Sequence, residues 1–114
     1  MKQYDVIVVG TGGANIVVDA AQRKGLRIAQ IEKGKFGGTC LTRGCIPTKV
    51  MVTAANAVRE VEDFKKIGIQ VGPATIDWDV MSKRVWHMID EDKDIYKYYN
   101  AFDNVDVYRG VATF

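Results

Sequence analysis

The chain opens on a short apolar, mostly β-branched run, Tyr4 to Val9 (YDVIVV), which ends at glycines. Such a run reads as a buried parallel strand. Beyond the glycines, Ala14, Val17, Val18 and Ala21 recur at i, i+3, i+4 and i+7. That spacing predicts a helix over residues 13–24, stopped by Gly25. LRIAQIE, residues 26–32, returns to a strand pattern that closes on a carboxylate. Strand, helix and strand in succession make a βαβ unit.

Further on, Pro47 suits the first turn of a helix. Val50, Ala54, Ala57, Val61 and Phe64 keep helical spacing until Gly68. IQVGPATID reads as a connection, after which Asp77 or Asp79 caps one long helix. Its stripe is Met81, Val85, Met88, Ile95 and Tyr99, interrupted by Asp92. NVDVYRG, residues 104–110, is again strand-like and leads into GVATF. The pattern is that of an α/β chain with a three-stranded parallel sheet and flanking helices, without internal repeats or low-complexity segments.

At 114 residues there is room for one domain with a modest core. The net charge of +2, with no lysine-rich face, gives no reason to expect nucleic acid. No apolar run is long enough for a signal peptide or a membrane span, so a cytoplasmic location and no membrane partner are expected.

Candidate chemistry begins at GTGGAN, residues 10–15, between the first strand and helix. In a dinucleotide fingerprint, Gly10 permits the tight turn and Gly12 lets the backbone approach a pyrophosphate at the helix N-terminus. The third glycine of that fingerprint falls on Asn15 here, a departure expected to weaken helix–strand packing. Glu32 lies 22 residues after Gly10, at a strand end, where a carboxylate can accept hydrogen bonds from ribose hydroxyls. A plain strand–helix turn explains the glycines alone; with strand, helix, strand and acid in register, nucleotide binding explains them better.

GGTCLTRGCIPTK, residues 37–49, holds the only two cysteines, five positions apart. A structural zinc site needs four ligands, and the chain adds only His87 to the pair. A static staple over so short a loop would constrain the unfolded chain little, and the cytosol would reduce it. Reactive use remains. Cys45 sits at a helix start that favours thiolate, Arg43 adds positive charge, and the flanking glycines let the two sulfurs approach.

GGTCLTRGCIPTK resembles the redox-disulfide signature of the pyridine nucleotide–disulfide oxidoreductases, GGTCxNxGCxPxK, with Thr42 replacing the common asparagine. This is the flavoenzyme family of dihydrolipoamide dehydrogenase, glutathione reductase, mercuric reductase and mycothione reductase. The resemblance runs from Tyr4 through the nucleotide turn and Glu32-Lys33 to GVATF. The isoleucine of GCIPTK is most similar to dihydrolipoamide dehydrogenases, whereas GTGGAN is similar to mycothione reductase-like members.

The resemblance implies a Rossmann-like FAD-binding domain. The ADP half of FAD would lie on Gly10, Gly12 and Glu32, within a stretch that includes Gly13, Ala14 and Lys33. Gly38 and Thr39 would line the pyrophosphate and ribityl region, Lys49 would reach the flavin surroundings, and Ala112 would lie by the adenine. Cys40 would be the interchange thiol that meets a dithiol substrate, and Cys45 the thiol beside the flavin. Electrons would pass between substrate dithiol or lipoyl domain, disulfide, FAD and NAD(P), as in a dihydrolipoamide dehydrogenase. The alternatives are a mycothione- or glutathione-type reductase, or a nucleotide-binding module without turnover.

Family members are several times longer. The resemblance therefore implies that residues 1–114 are an incomplete FAD-binding domain of a homodimeric enzyme, inactive alone, whose NAD(P)-binding and dimerisation domains lie outside this chain. Exposed apolar surface and self-association are expected of such a piece. His87 reads as an ordinary helix residue, Trp78, Trp86 and the tyrosines at 96, 98 and 99 as core or interface, and DEDKD, residues 90–94, as a solvated helix face.

Overall fold

A computed structural model describes residues 1–90 and 92–114. The elements in order are β1 (Val6–Val9), α1 (Asn15–Arg23), β2 (Ile28–Glu32), α2 (Gly38–Arg43) and α3 (Cys45–Phe64). A 3₁₀ turn (Lys65–Ile67), α4 (Trp78–Ile89), α5 (Asp92–Asn100) and β3 (Val105–Arg109) complete the chain. The three strands form a parallel sheet in the order β1-β2-β3. Ile28 is level with Val6 and Val105, and Glu32 with Arg109. This is the α/β, Rossmann-like architecture expected from the alternating pattern.

Both crossovers step across the sheet in the same direction. Parallel crossovers are almost always of one hand, so their helices land on the same face. Val18 and Ala21 of α1 and Tyr99 of α5 accordingly share one core with Val8, Ile28 and Val105, while Ile95 and Phe102 pack at its rim. Side-chain hydrogen bonds tie the two helices and the connections together. Tyr99 OH donates to Asp19 Oδ1 at 2.9 Å, and Asn104 Nδ2 donates to the Leu26 carbonyl at 2.9 Å.

The same geometry overturns one expectation. β1 is not buried on both sides, because side chains alternate across a strand and no helix among the described residues covers the second face. Ile7 and Val9 on that face are 61% and 56% exposed. The N-terminal segment reaches part of the face: Lys2 Nζ and Tyr4 OH lie 2.9 and 2.5 Å from Asp106 Oδ2. The helical stripes shift as well. Val17 on α1 and Ala57 on α3 point outward, with Val58 turned inward instead.

The single long helix expected after residue 77 is two helices. Asp77 does cap the first, its Oδ1 accepting from Val80 N at 3.0 Å. That helix ends at Ile89, and α5 begins at Asp92, where the apolar stripe is interrupted. The break lets Met81 and Val85 follow α3 while Ile95 and Tyr99 turn onto the sheet. The 20-residue α3, with α4 along it, gives the molecule extents of 70 × 26 × 25 Å. Trp78 and Trp86 are exposed rather than core residues, as are His87 and Tyr98. Of the acidic run, Asp90 pairs with Lys35 across elements at 2.8 Å; Glu91 lies outside the described residues. Among the described residues no helix is long and apolar enough to cross a membrane.

Candidate functional site

The crevice at the carboxyl ends of the strands, where open α/β sheets bind ligands, gathers the sequence-predicted residues. Glu32 ends β2 and turns its carboxylate onto the glycine-rich turn after β1. Its Oε2 accepts from Thr11 N at 3.1 Å and Thr11 Oγ1 at 2.8 Å, and its Oε1 from Gly34 N at 2.7 Å. Partial burial pushes the Glu32 carboxyl up, but the hydrogen bonds from Gly34, Thr11 and Lys33 outweigh it and hold the group below the usual glutamate range. Glu32 is therefore a carboxylate at neutral pH.

The redox segment is docked onto that turn backbone against backbone. Thr11 Oγ1 accepts from Gly37 N at 3.1 Å. Gly38 adopts φ +70, and a Cβ there would collide with Gly12 Cα and lie 3.0 Å from Gly12 N. Only glycine allows this approach. Gly38 opens α2, and its carbonyl accepts from Thr42 Oγ1 at 2.7 Å, so threonine serves that turn where the family signature has asparagine. Gly44 then swings the chain from α2 into α3; a Cβ there would lie 2.9 Å from the Thr39 carbonyl. The swing brings Cys40 on α2 and Cys45 at the start of α3 to a Cα–Cα distance of 4.6 Å, and the two are joined in a disulfide. Both are exposed.

A cleft of about 480 Å³ runs along Gly10, Thr11, Gly12 and Gly13 to Thr39, Cys40 and Arg43, with Glu32 and Lys35 on its wall. An adjoining hollow of about 240 Å³ is lined by Gly10, Glu32, Lys33 and Ala112, among others. The fold thus brings Gly10, Gly12, Gly13, Glu32, Lys33, Gly38, Thr39, Cys40 and Ala112 to neighbouring hollows. Cys45 lines neither hollow and reaches the cleft through its bond to Cys40, and two further predicted residues stand apart. Ala14 is the residue before α1 and packs at the rim of the core, and Lys49 is exposed on α3 away from both hollows.

The residues bare of side chains suit a dinucleotide. A Cβ at Gly10 or Gly13 would meet nothing within 4 Å, so the cleft floor is open backbone beside the N-terminus of α1. Among the described residues no group of three His, Cys, Asp or Glu side chains gathers to hold a metal.

Three residues were not legible beforehand. Thr11 reads as filler inside a glycine motif, yet it bonds both Glu32 and Gly37. Arg109 lies against a pair of aromatic rings, its guanidinium carbon 5.1 Å from the Phe36 centroid and 4.6 Å from that of Tyr96. Gln30, on the central strand, is wholly buried and donates to Asn15 Oδ1 at 2.7 Å. Asn15 therefore does not simply loosen the packing that glycine would serve; it partners a buried amide. Among the described residues the Gln30 Oε1 atom is buried without a partner. Asn15→Ala should strand the Gln30 amide as well and cost about 1–3 kcal/mol, read as a lower denaturant midpoint at unchanged m-value.

A parallel α/β sheet with a glycine-rich turn, a clamped acid and an adjacent disulfide defines a Rossmann-like, disulfide-bearing module. The chain belongs to the pyridine nucleotide-disulphide oxidoreductase family, whose sequence model matches residues 4–109. It is 37% identical over 115 residues to a mycothione reductase of Mycobacterium tuberculosis, covering 96% of this chain and 24% of that protein. It is 44% identical over 85 residues to a dihydrolipoyl dehydrogenase of Chlamydia pneumoniae, covering 73% of this chain and 18% of the relative. The chain thus spans about a quarter or less of the length of these relatives. Among solved structures it resembles the Cu(II) complex of the HOCl-induced flavoprotein disulfide reductase RclA from Escherichia coli. That likeness, with a TM-score of 0.76 at 24% identity over 96% of this chain and 22% of the other, is one of fold.

Proposed function

We propose that this chain is the first part of the FAD-binding domain of a flavoprotein dithiol/disulfide oxidoreductase, with Cys40–Cys45 as its redox pair. The observation that carries the reading is the shared cleft: Cys40 lines the same hollow as the glycine-rich turn and Glu32. Gly10, Gly12, Gly13, Gly38 and Thr39 would hold the phosphates of FAD, Glu32 its ribose, and Ala112 with Lys33 its adenine end. Bound FAD would supply a two-electron carrier between the cysteine pair and NAD(P).

The chain's own chemistry is thiol–disulfide exchange. A thiolate of a dithiol substrate attacks Cys40 Sγ, and the Cys40–Cys45 bond breaks with Cys45 leaving as thiolate. The second substrate thiolate then attacks the substrate sulfur of the mixed disulfide and releases Cys40. Substrate leaves as a disulfide, its two electrons stay on the cysteine pair, and its protons pass to the pair or to water. Arg43, in the same cleft, favours the thiolates.

Within the family we favour a dihydrolipoamide dehydrogenase acting on a small dithiol or lipoyl domain, as GCIPTK suggests. Asn15, and the long match to a mycothione reductase, favour a mycothiol-type reductase as the second reading. The exposed sheet face of Ile7 and Val9 would be covered by the rest of a longer, cytoplasmic, homodimeric protein carrying the NAD(P)-binding and dimerisation domains. Assaying the full-length enzyme with dihydrolipoamide, glutathione disulfide and mycothiol disulfide, against each nicotinamide, tests both readings. No turnover with any of them would reject the oxidoreductase.

Glu32→Ala in the full-length enzyme should weaken FAD by about ten- to a hundredfold, the worth of a charge-assisted hydrogen bond. Titrating apoprotein with FAD measures it, and unchanged affinity would remove the ribose contact. The pH dependence has a definite sign. Because the folded state holds the Glu32 carboxyl low, its stabilisation is present above the ordinary glutamate pKa and lost as pH falls through the lower folded value.

A further inference from the structure

We propose that Thr11 is a positioning residue of the nucleotide site. Its hydroxyl aims the Glu32 carboxylate and links it to the backbone at Gly37, where the disulfide-bearing α2 begins. This rests on the reading of the cleft as a flavin site.

Thr11 is 1% exposed although it sits in a turn otherwise built of glycines. A hydroxyl has one proton to give. Here it goes to Glu32 Oε2 at 2.8 Å, which leaves an oxygen lone pair to accept Gly37 N–H at 3.1 Å. The bonds therefore run in one direction, from Gly37 N–H to Thr11 O–H to the carboxylate. The negative charge at the end strengthens the bond it receives and polarises the one behind it. With Gly34 N on Oε1, the carboxylate is gripped from both sides before any ligand arrives. Such preorganisation removes an ordering cost from binding. The chain of bonds also fixes the start of α2 against the turn, beside the Gly12–Gly38 contact.

Other charges around Glu32 do not replace this grip. Lys33 and Lys35 follow β2, Arg43 comes from α2, and Arg109 lies opposite on β3, its guanidinium against the rings of Phe36 and Tyr96. The glycine turn and residues 110–112 bring no ionisable side chain.

The test compares Thr11→Val, which keeps the branched shape, with Thr11→Ser, which keeps the hydroxyl, in the full-length protein. The valine variant should bind FAD about ten- to a hundredfold more weakly, and serine should restore most of the affinity. Flavin should also leave the valine variant at a higher pH on acidification, because its Glu32 carboxyl protonates sooner; serine should follow the wild type. Equal losses in both variants would make the effect one of packing and overturn the proposal. The titration of Glu32 in apoprotein, followed by its carboxyl ¹³C shift and assigned through Glu32→Gln, separates this proposal from the flavin reading. A wild type that binds no flavin would reject the flavin reading. A Glu32 titration unmoved by Thr11→Val would reject the role of Thr11, whatever the cofactor.

Discussion

Cys40→Ser and Cys45→Ser in the full-length enzyme should each abolish dithiol–disulfide interchange, and the two variants should fail differently. Exchange begins by attack on a disulfide, and one cysteine alone cannot form it, so neither variant can take up the two electrons of a dithiol substrate. Cys45 opens the 20-residue α3, whose N-terminal N–H groups stabilise a thiolate. With Cys40 replaced, the proposed flavin-side Cys45 thiolate should give a long-wavelength absorbance band with FAD without added reductant, and acid should remove it. With Cys45 replaced, no band should form at any pH, while Cys40 should still react with a thiol reagent. A band in Cys45→Ser alone would reverse the assignment of inner and outer sulfur. A band in neither would separate the pair from the flavin. Stopped-flow spectra and reagent-labelling rates measure both outcomes.

The second large effect is expected at Gly38. Alanine there must hold a positive φ that costs an L-residue roughly 1–2 kcal/mol, and its methyl must push the turn and α2 apart. Overpacking of that kind adds about 1–3 kcal/mol, because Gly12 presents backbone rather than a flexible side chain. Gly38→Ala should therefore lose about 2–5 kcal/mol in denaturant unfolding and weaken FAD with it. Gly72→Ala is the matched control, since a Cβ at Gly72 meets nothing within 4 Å and its φ is not positive. A Gly38→Ala protein as stable as that control would mean the close backbone approach is not required.

The parts of this protein that were legible in its residues are those written by local spacing. The βαβ opening follows from an apolar run, a helical repeat and a second run, each punctuated by glycine. The glycine turn, the acid at the end of β2 and the cysteine pair announce themselves because their chemistry demands particular residue types at particular intervals. The cap at Asp77 is equally local, one side chain meeting an N–H three residues on.

Elsewhere the spacing was silent or misleading. The stripe from Met81 to Tyr99 is helical throughout, so periodicity alone joins α4 and α5. Their separation depends on partners on different elements, α3 for the first and the sheet for the second. β1 looks buried because every residue in it is apolar, but which face is covered depends on where two crossovers place their helices. Asn15 reads as a defect until Gln30, fifteen residues away, is brought against it.

By itself, then, the sequence determined the parallel α/β framework, the nucleotide-type turn with Glu32, and a closely spaced cysteine pair, because each is set within a helix turn, a strand or a short loop. Only the tertiary structure decided that the turn and Cys40 share one cleft, that Gly12 and Gly38 meet backbone to backbone, and that Thr11 joins Glu32 to Gly37. These contacts close between residues 21 to 26 positions apart. Hydrogen-bond direction and steric fit across such gaps are properties of the packed chain, and neither leaves a period in the sequence.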